Sequence, residues 1–362
     1  MNDVTAPFHS ASSGASLAPA SAHLPADSSD WISKGQPALV LAPMEGVTDA
    51  PMRALLSERG GFNYCVSEFL RISQDVLPPK VYLEHIPELR ADCRTPSGTP
   101  IQVQLLGGNE ELLALSAVRA CELGARAIDL NFGCPAPTVN RHDGGAALLR
   151  YPDRIRSIVA AVRAAVPAEF PVSAKLRLGW DDMNAIHLNA ERAAEGGASW
   201  ITIHARTKVQ GYIPPAHWKY IGAVRKNLDI PVVANGEIWT REDFLKCRDE
   251  TGCEHYMIGR GALADPELSW VISHELGLKL PSRCQSLEGS FSTRAREWLP
   301  LIERFAEHCA AHVETHSGAP YTVRRVKQWV KMASLKKELP WFELLKRTQT
   351  LSEVYAVLSQ LD

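Results

Sequence analysis

VSAKLRLGWDDMNAIHLNAERAAEGGASWITIHAR, residues 172–206, reads as strand, helix, strand. Its ends, VSAKLRLG (172–179) and WITIHAR (200–206), are short, rich in aliphatic and β-branched residues, and nearly continuous in their apolarity. Strands covered on both faces read this way, because neither side of the pleat meets water. The stretch between them, MNAIHLNAERAAEGGA (183–198), has helical spacing and ends in a glycine pair that stops it.

The same texture continues outward in both directions. Upstream lie PALVLAPME (37–45), NYCVSEFL (63–70), IQVQLLG (101–107) and RAIDLNFG (126–133), and downstream IPVVANGE (230–237) and EHYMIGRG (254–261), which makes eight runs. Helical segments such as ELLALSAVRACELGA (111–125) and DRIRSIVAAVRAAVP (153–167) fill the gaps. Eight strand-helix units predict an α/β fold, a closed (β/α)8 TIM barrel, with an open doubly wound sheet as the rival. The placement of the unusual residues favours the barrel. Met44-Glu45-Gly46, Asn131 to Pro135, Gly179-Trp180, His204-Ala205-Arg206, Asn235-Gly236-Glu237 and Gly259-Arg260-Gly261 all stand at strand exits, and only a barrel brings so many exits to one mouth.

The composition, with 45% apolar and 22% charged residues in 362, excludes a fibre, a disulfide mini-protein and a wholly disordered chain. A net charge of −2 recruits no polyanion, so a nucleic-acid partner must meet a local patch. The eight cysteines are scattered without a CxxC, which reads as free thiols in a reducing cytoplasm. No second ligand stands at zinc spacing from Cys134, so no metal is expected. No run approaches the roughly 18–20 apolar residues of a membrane helix.

Residues 1–36 read as a disordered extension, 37–290 as the barrel, and 291–362 as an all-helical domain. The first 30 residues hold seven Ala and seven Ser with no Lys or Arg, unlike a secretory signal or an organelle presequence. No coiled-coil seam is evident, and a monomer is expected. From Tyr321 to Arg347 there are eight Lys or Arg against two acids. Arg324, Lys327 and Lys331 share one helix face opposite Val326, Trp329, Val330 and Ala333, which suits either a solvated face or a polyanion-docking stripe.

At the mouth, Cys134 lies in a loop, unlike most of the other cysteines, and is open to reading as a nucleophile or an acid. Lys175 and Arg177 fall on one face of an otherwise apolar strand, either as part of an internal salt bridge or as a cationic floor extended by His204 and Arg206. The glycines of ANGE (234–237) and IGRGA (258–262) suit a phosphate at the last two strand ends. Neither a dinucleotide fingerprint nor a P-loop occurs, and a barrel with a phosphate cradle, a cationic floor and no metal suggests a phosphorylated cofactor such as FMN.

The segments LAPMEGVTD (41–49), VQLLG (103–107), DLNFGCPAPTVNRHDGGAALLR (129–150), KLRLGW (175–180), HARTKVQGY (204–212), ANGEIW (234–239) and MIGRGAL (257–263) together resemble the tRNA-dihydrouridine synthases. With TPSGT (95–99) and VKQW (326–329) added, the resemblance is closest to the branch that modifies uridine 16 of the D-loop. It implies an FMN-dependent oxidoreductase that reduces a tRNA uridine, with NADPH as reductant. It further implies that Pro43, Met44 and Glu45 line the flavin, that Gln104 and Lys175 contact its ring beside His204, and that Asn235, Gly236, Glu237, Gly259 and Arg260 hold its phosphate. Cys134 matches the catalytic cysteine and Asn131 stands beside the uracil, while Arg71, Tyr212, Arg325 and Lys327 are implied to meet tRNA. Two rivals are a flavin enzyme acting on a free pyrimidine and a non-catalytic RNA-binding protein.

Overall fold

A computed structural model of the chain describes residues 31–280, 284, 291–312 and 318–360. The strands are β1 (Ala38–Leu41), β2 (Tyr64–Val66), β3 (Leu70–Arg71), β4 (Ile101–Leu106), β5 (Ile128–Asn131), β6 (Val172–Arg177), β7 (Ile201–His204), β8 (Val232–Asn235) and β9 (His255–Ile258). All pair in parallel. β1 bonds to β9 on one side and β2 on the other, and β2 bonds to β4, which closes an eight-stranded barrel. The two-residue β3 is an extra rung on β4. Each of the eight runs picked out in the sequence holds one barrel strand.

Side chains alternate across each strand. One set, including Leu39, Leu41, Val103, Leu105, Leu130, Leu176, Ile203 and Ile258, packs in the cluster shared with the surrounding helices. The other set fills the barrel and is split. Ala38, Val40, Tyr64, Val66, Val233 and Met257 form an apolar half, whereas Gln102, Gln104, Asp129, Ser173, Thr202 and His204 are buried polar groups from β4 to β7. Polar groups in such a place demand partners, and their network supports the site described below.

The expected disorder of residues 1–36 is corrected at its C-terminal end, while residues 1–30 lie outside the described residues. Trp31 and Ile32 are each only 8% exposed. They precede β1 and cap the end of the barrel opposite the mouth, with the Trp31 ring edge-on to Tyr64 at 5.2 Å. The Gly35 amide donates to Glu254 Oε2 at 2.8 Å and fixes the approach to β1. The open bottom of a barrel exposes apolar interior, so an aromatic lid there is favoured.

Beyond the barrel, helices Ala295–Ala311, Gly318–Ala333, Phe342–Leu345 and Leu351–Gln360 form the helical region. Its core is aromatic. Trp329 packs 5.5 Å from Trp298 and 5.4 Å from Phe305, and Trp298 packs 5.7 Å from Trp341. Trp329 Nε1 also donates to the Leu263 carbonyl at 3.0 Å, so the same core is tied to the barrel just past β9.

Candidate active site at the barrel mouth

A cavity of about 680 Å3 opens at the C-terminal ends of the strands, with Met332 and Leu335 of the helical region closing one side. Pro43, Met44, Glu45, Gln104, Asn131, Cys134, Lys175, His204, Tyr212, Asn235, Gly236, Glu237, Gly259 and Arg260 all line it. Residues spread over more than 200 positions are thus gathered by strand exits alone. Among the described residues no group of His, Cys, Asp or Glu could hold a metal, and no helix is long and apolar enough to cross a membrane.

The floor is cationic and largely shut off from solvent. Lys175 Nζ donates to Asn235 Oδ1 at 3.2 Å, and Asn235 is oriented in turn by its own donation to the Met257 carbonyl at 2.8 Å. Burial and then the charge of Arg177 pull the Lys175 ammonium below the usual lysine range. Burial, followed by the charges of Arg177, Lys175, Arg206 and Arg260, holds the His204 ring well below its ordinary range. That imidazole is neutral at neutral pH, and its Nδ1 has no partner among the described residues.

Cys134 is the one of the eight cysteines that lines the cavity. Burial pushes its thiol up, and the nearby Glu45 charge adds to this against the pull of the Ala136 amide, Arg177 and Lys175. The loop that carries it is tied to β5, because Asn131 Oδ1 accepts from the amides of both Gly133 and Cys134 at 2.9 Å. A thiol held in its protonated form is suited to giving up a proton and ill suited to nucleophilic attack.

The opposite end of the cavity has the shape for a phosphate-bearing tail. Gly236 has φ 112° and Glu237 φ 60°, a left-handed pair that turns the backbone sharply at the end of β8. A Cβ on Gly259 would stand 3.1 Å from Met44 Sδ and 3.3 Å from Ala42 Cβ, so any side chain there crowds this wall. The Glu237 carboxylate is already engaged by Arg206, with Arg260 and Lys336 at 3.7 and 3.8 Å. Arg260 also lies over Tyr212 and Trp239 at 4.7 and 4.8 Å, and Arg177 over Tyr212 at 5.2 Å. A flat heteroaromatic group with carbonyl acceptors, followed by a phosphate, fits this sequence of polar floor, glycine wall and basic end.

Three expected site residues stand elsewhere. Arg71 lies on β3 and donates to the Thr138 carbonyl at 3.2 Å, bracing the segment that follows Cys134. Lys327 donates to the Thr348 carbonyl within the helical region. Arg325 is the clear correction. It is 5% exposed, and its guanidinium grips Asp49 through Nε and Nη2 at 2.8 Å and reaches the carbonyls of Gly46 and Val47 at 2.8 Å. Its donors are committed to the loop after β1, which leaves them unavailable to RNA phosphate. Arg324 and Lys331 are the exposed cations of that helix.

Set beside known proteins, residues 40–360 match the dihydrouridine synthase (Dus) family. The chain belongs to the dihydrouridine synthase family. A relative described as tRNA-dihydrouridine(16) synthase in Shewanella oneidensis is 44% identical over 326 residues, 89% of this chain and 97% of its own. Proteins of the same description in Haemophilus influenzae and Pseudomonas putida are each 42% identical, over 89% and 81% of this chain and 99% and 87% of theirs. In this dihydrouridine synthase the sequence reading left Trp239, Met332 and Leu335 out of the site, although all line the cavity. Arg177, read with Lys175 as part of a cationic floor, lines it too. Met332 and Leu335 carried no signal, because only the docking of the helical region brings them over the mouth.

Proposed function

We propose that this dihydrouridine synthase reduces the C5–C6 double bond of uridine 16 in the D-loop of tRNA, with FMN as its bound redox group, NADPH as reductant and Cys134 as proton donor. The choice of uridine 16 rests on the relatives of that description, which match over nearly their whole length. The observation that carries the chemistry is the convergence on one cavity of a protonated thiol, a buried ammonium and a glycine-walled basic end.

FMN fits these residues. Lys175, oriented by Asn235, offers a polar contact to the ring, His204 has a free ring nitrogen beside it, and Arg260 with the Gly236 and Gly259 backbone at the end of the Asn235 strand suits the phosphate. Bound FMN would supply hydride chemistry that no side chain can provide. The chain's own residues do the rest. The target base leaves its stack to enter the mouth, at a cost met by contacts within the pocket. Asn131 and Tyr212 flank it, Cys134 delivers the proton to C5, and the Lys175 charge stabilises the negative charge that develops as the ring is reduced. The decisive experiment incubates the purified protein with NADPH and an unmodified tRNA transcript and maps dihydrouridine. Product at position 16 with FMN released on denaturation is the expected result; a colourless protein that takes up no FMN and makes no dihydrouridine refutes the reading.

Two further outcomes are expected. The useful form of Lys175 is the charged one, and its protonated fraction falls as pH rises through its lowered pKa. Uridine reduction should therefore decline on the alkaline side below the ordinary lysine range, while Cys134, whose thiol is pushed up, remains protonated there. Lys175→Arg keeps the charge and should move that limb upward; an unmoved limb assigns it to another group. The second outcome concerns tRNA. Charge reversal at Arg324 and Lys331, both exposed, should weaken tRNA binding and reduce the salt slope by about 1 for each phosphate no longer neutralised, with NADPH oxidation retained. An unchanged slope puts the RNA surface elsewhere.

A further inference from the structure

Beneath Cys134 runs a chain of buried and half-buried side chains whose donors all point one way. Asp129, 2% exposed, accepts from Gln104 Nε2 on Oδ2 at 2.6 Å and from Ser173 Oγ on Oδ1 at 2.5 Å. Gln104 Oε1 accepts from Asn131 Nδ2 at 2.8 Å, and Asn131 Oδ1 accepts from the Gly133 and Cys134 amides. On the other branch Ser173 Oγ, having given its proton to Asp129, accepts from Gln102 Nε2 at 2.9 Å. An amide can sit either way round, whereas a carboxylate only accepts. Asp129 is therefore the fixed acceptor at one end of the chain, and the Gly133 and Cys134 amides, which only donate, are the fixed donors at the other.

We propose that Asp129 is a positioning residue for the Cys134 loop: by accepting from Gln104 it sets the orientation of the Gln104 and Asn131 amides in turn, and so keeps an acceptor under the backbone of Gly133 and Cys134. The catalytic consequence rests on the reading of Cys134 as proton donor. The geometry does not.

The effect of Asp129→Asn follows link by link. The new amide has one oxygen where the carboxylate offered two acceptors, and with that oxygen on the Ser173 hydroxyl its NH2 faces Gln104. Two NH2 groups cannot face each other, so Gln104 turns over, then Asn131, which now presents its own NH2 to two backbone donors. A donor-to-donor clash thus enters the chain that holds both loop hydrogen bonds although side-chain volume barely changes, so a role in packing alone predicts little effect. Adding Gln104→Glu restores the sense. The new amide donates to one carboxylate oxygen, the other accepts from Asn131, and the charge of the pair is conserved.

The test is amide hydrogen exchange across residues 131–136 of the full-length protein without tRNA, with turnover measured alongside. Asp129→Asn should exchange about tenfold faster or more at Gly133 and Cys134, as weakening of the hydrogen bonds that hold them implies, and the double variant should return toward wild type. Ser173→Ala, which removes only the other branch, should leave the loop unchanged. Gln104→Glu alone sets two carboxylates face to face and should also loosen the loop, which tests the same link if Asp129→Asn fails to fold. In turnover, Asp129→Asn should lower kcat for dihydrouridine with little change in KM for tRNA. Unaltered exchange in Asp129→Asn, or a double variant as fast as the single, overturns the proposal. Exchange needs no synthase activity, so rescue in a protein that makes no dihydrouridine would uphold the network and refute only the functional reading.

Discussion

Cys134→Ala is expected to lower dihydrouridine formation by about a hundred- to ten-thousand-fold, the range that loss of a positioned general acid, the role proposed for it, produces. The argument is geometric first. Seven of the eight cysteines stand away from the cavity, and Cys134 alone lines it, on a loop tied to β5 through Asn131. The protonation state follows from burial and the Glu45 charge, which keep the thiol from ionising at neutral pH. Removing one sulfur from a side chain on a surface loop of the mouth leaves the barrel core untouched, so FMN content and tRNA affinity should be preserved. Cys134→Ser should recover little, because an alcohol is a far weaker acid than a thiol. Wild-type turnover in Cys134→Ala with normal tRNA binding would remove the residue from the chemistry.

The barrel was readable in the sequence because its strands are covered on both sides, and such strands announce themselves as unbroken apolar runs. The site was readable for a related reason. A residue such as Lys175, charged within VSAKLRLG, or Asn235 followed by glycine, departs from its surroundings at the end of a run. Two features escaped because their signal is not local. Trp31 and Ile32 sit in a Ser- and Ala-rich lead, and only the open bottom of the barrel gives them something to cover. Met332 and Leu335 reach the cavity only once the helical region has docked. Arg325 is different, since its burial was encoded in its spacing. It stands four residues from Tyr321 and four from Trp329, both buried, and so belongs to the stripe that faces the barrel. The resemblance assigned it to tRNA, although it stands about 100° around the helix from Arg324.

That placement makes Arg325→Ala the second large effect, and the expected loss is of structure. The guanidinium makes a two-pronged pair with Asp49 and donates to two further carbonyls, Gly46 and Val47. Asp49 is also the cap of helix Ala50–Arg59, accepting from the Met52 amide at 3.2 Å, and it accepts from the Tyr321 hydroxyl at 2.9 Å. Truncating the arginine removes the charge partner of Asp49 and the donor to the Val47 carbonyl at a half-buried interface, leaving Asp49 with Met52 and Tyr321 and the Gly46 carbonyl with Gln328, at a cost of about 2 kcal/mol. The helical region should loosen from the mouth and Tm should fall by several degrees, whereas Arg324→Ala, on the exposed face, should change stability by no more than about 0.5 kcal/mol. The loop that Arg325 holds carries Met44 and Glu45 into the cavity, so cofactor retention should fall with it. Lysine separates this role from a phosphate contact. A point charge serves a phosphate nearly as well, but a single ammonium cannot satisfy Asp49 and both carbonyls in their fixed fork. Arg325→Lys should therefore remain destabilised; a stable Arg325→Lys protein with weakened tRNA binding would return the residue to the RNA surface.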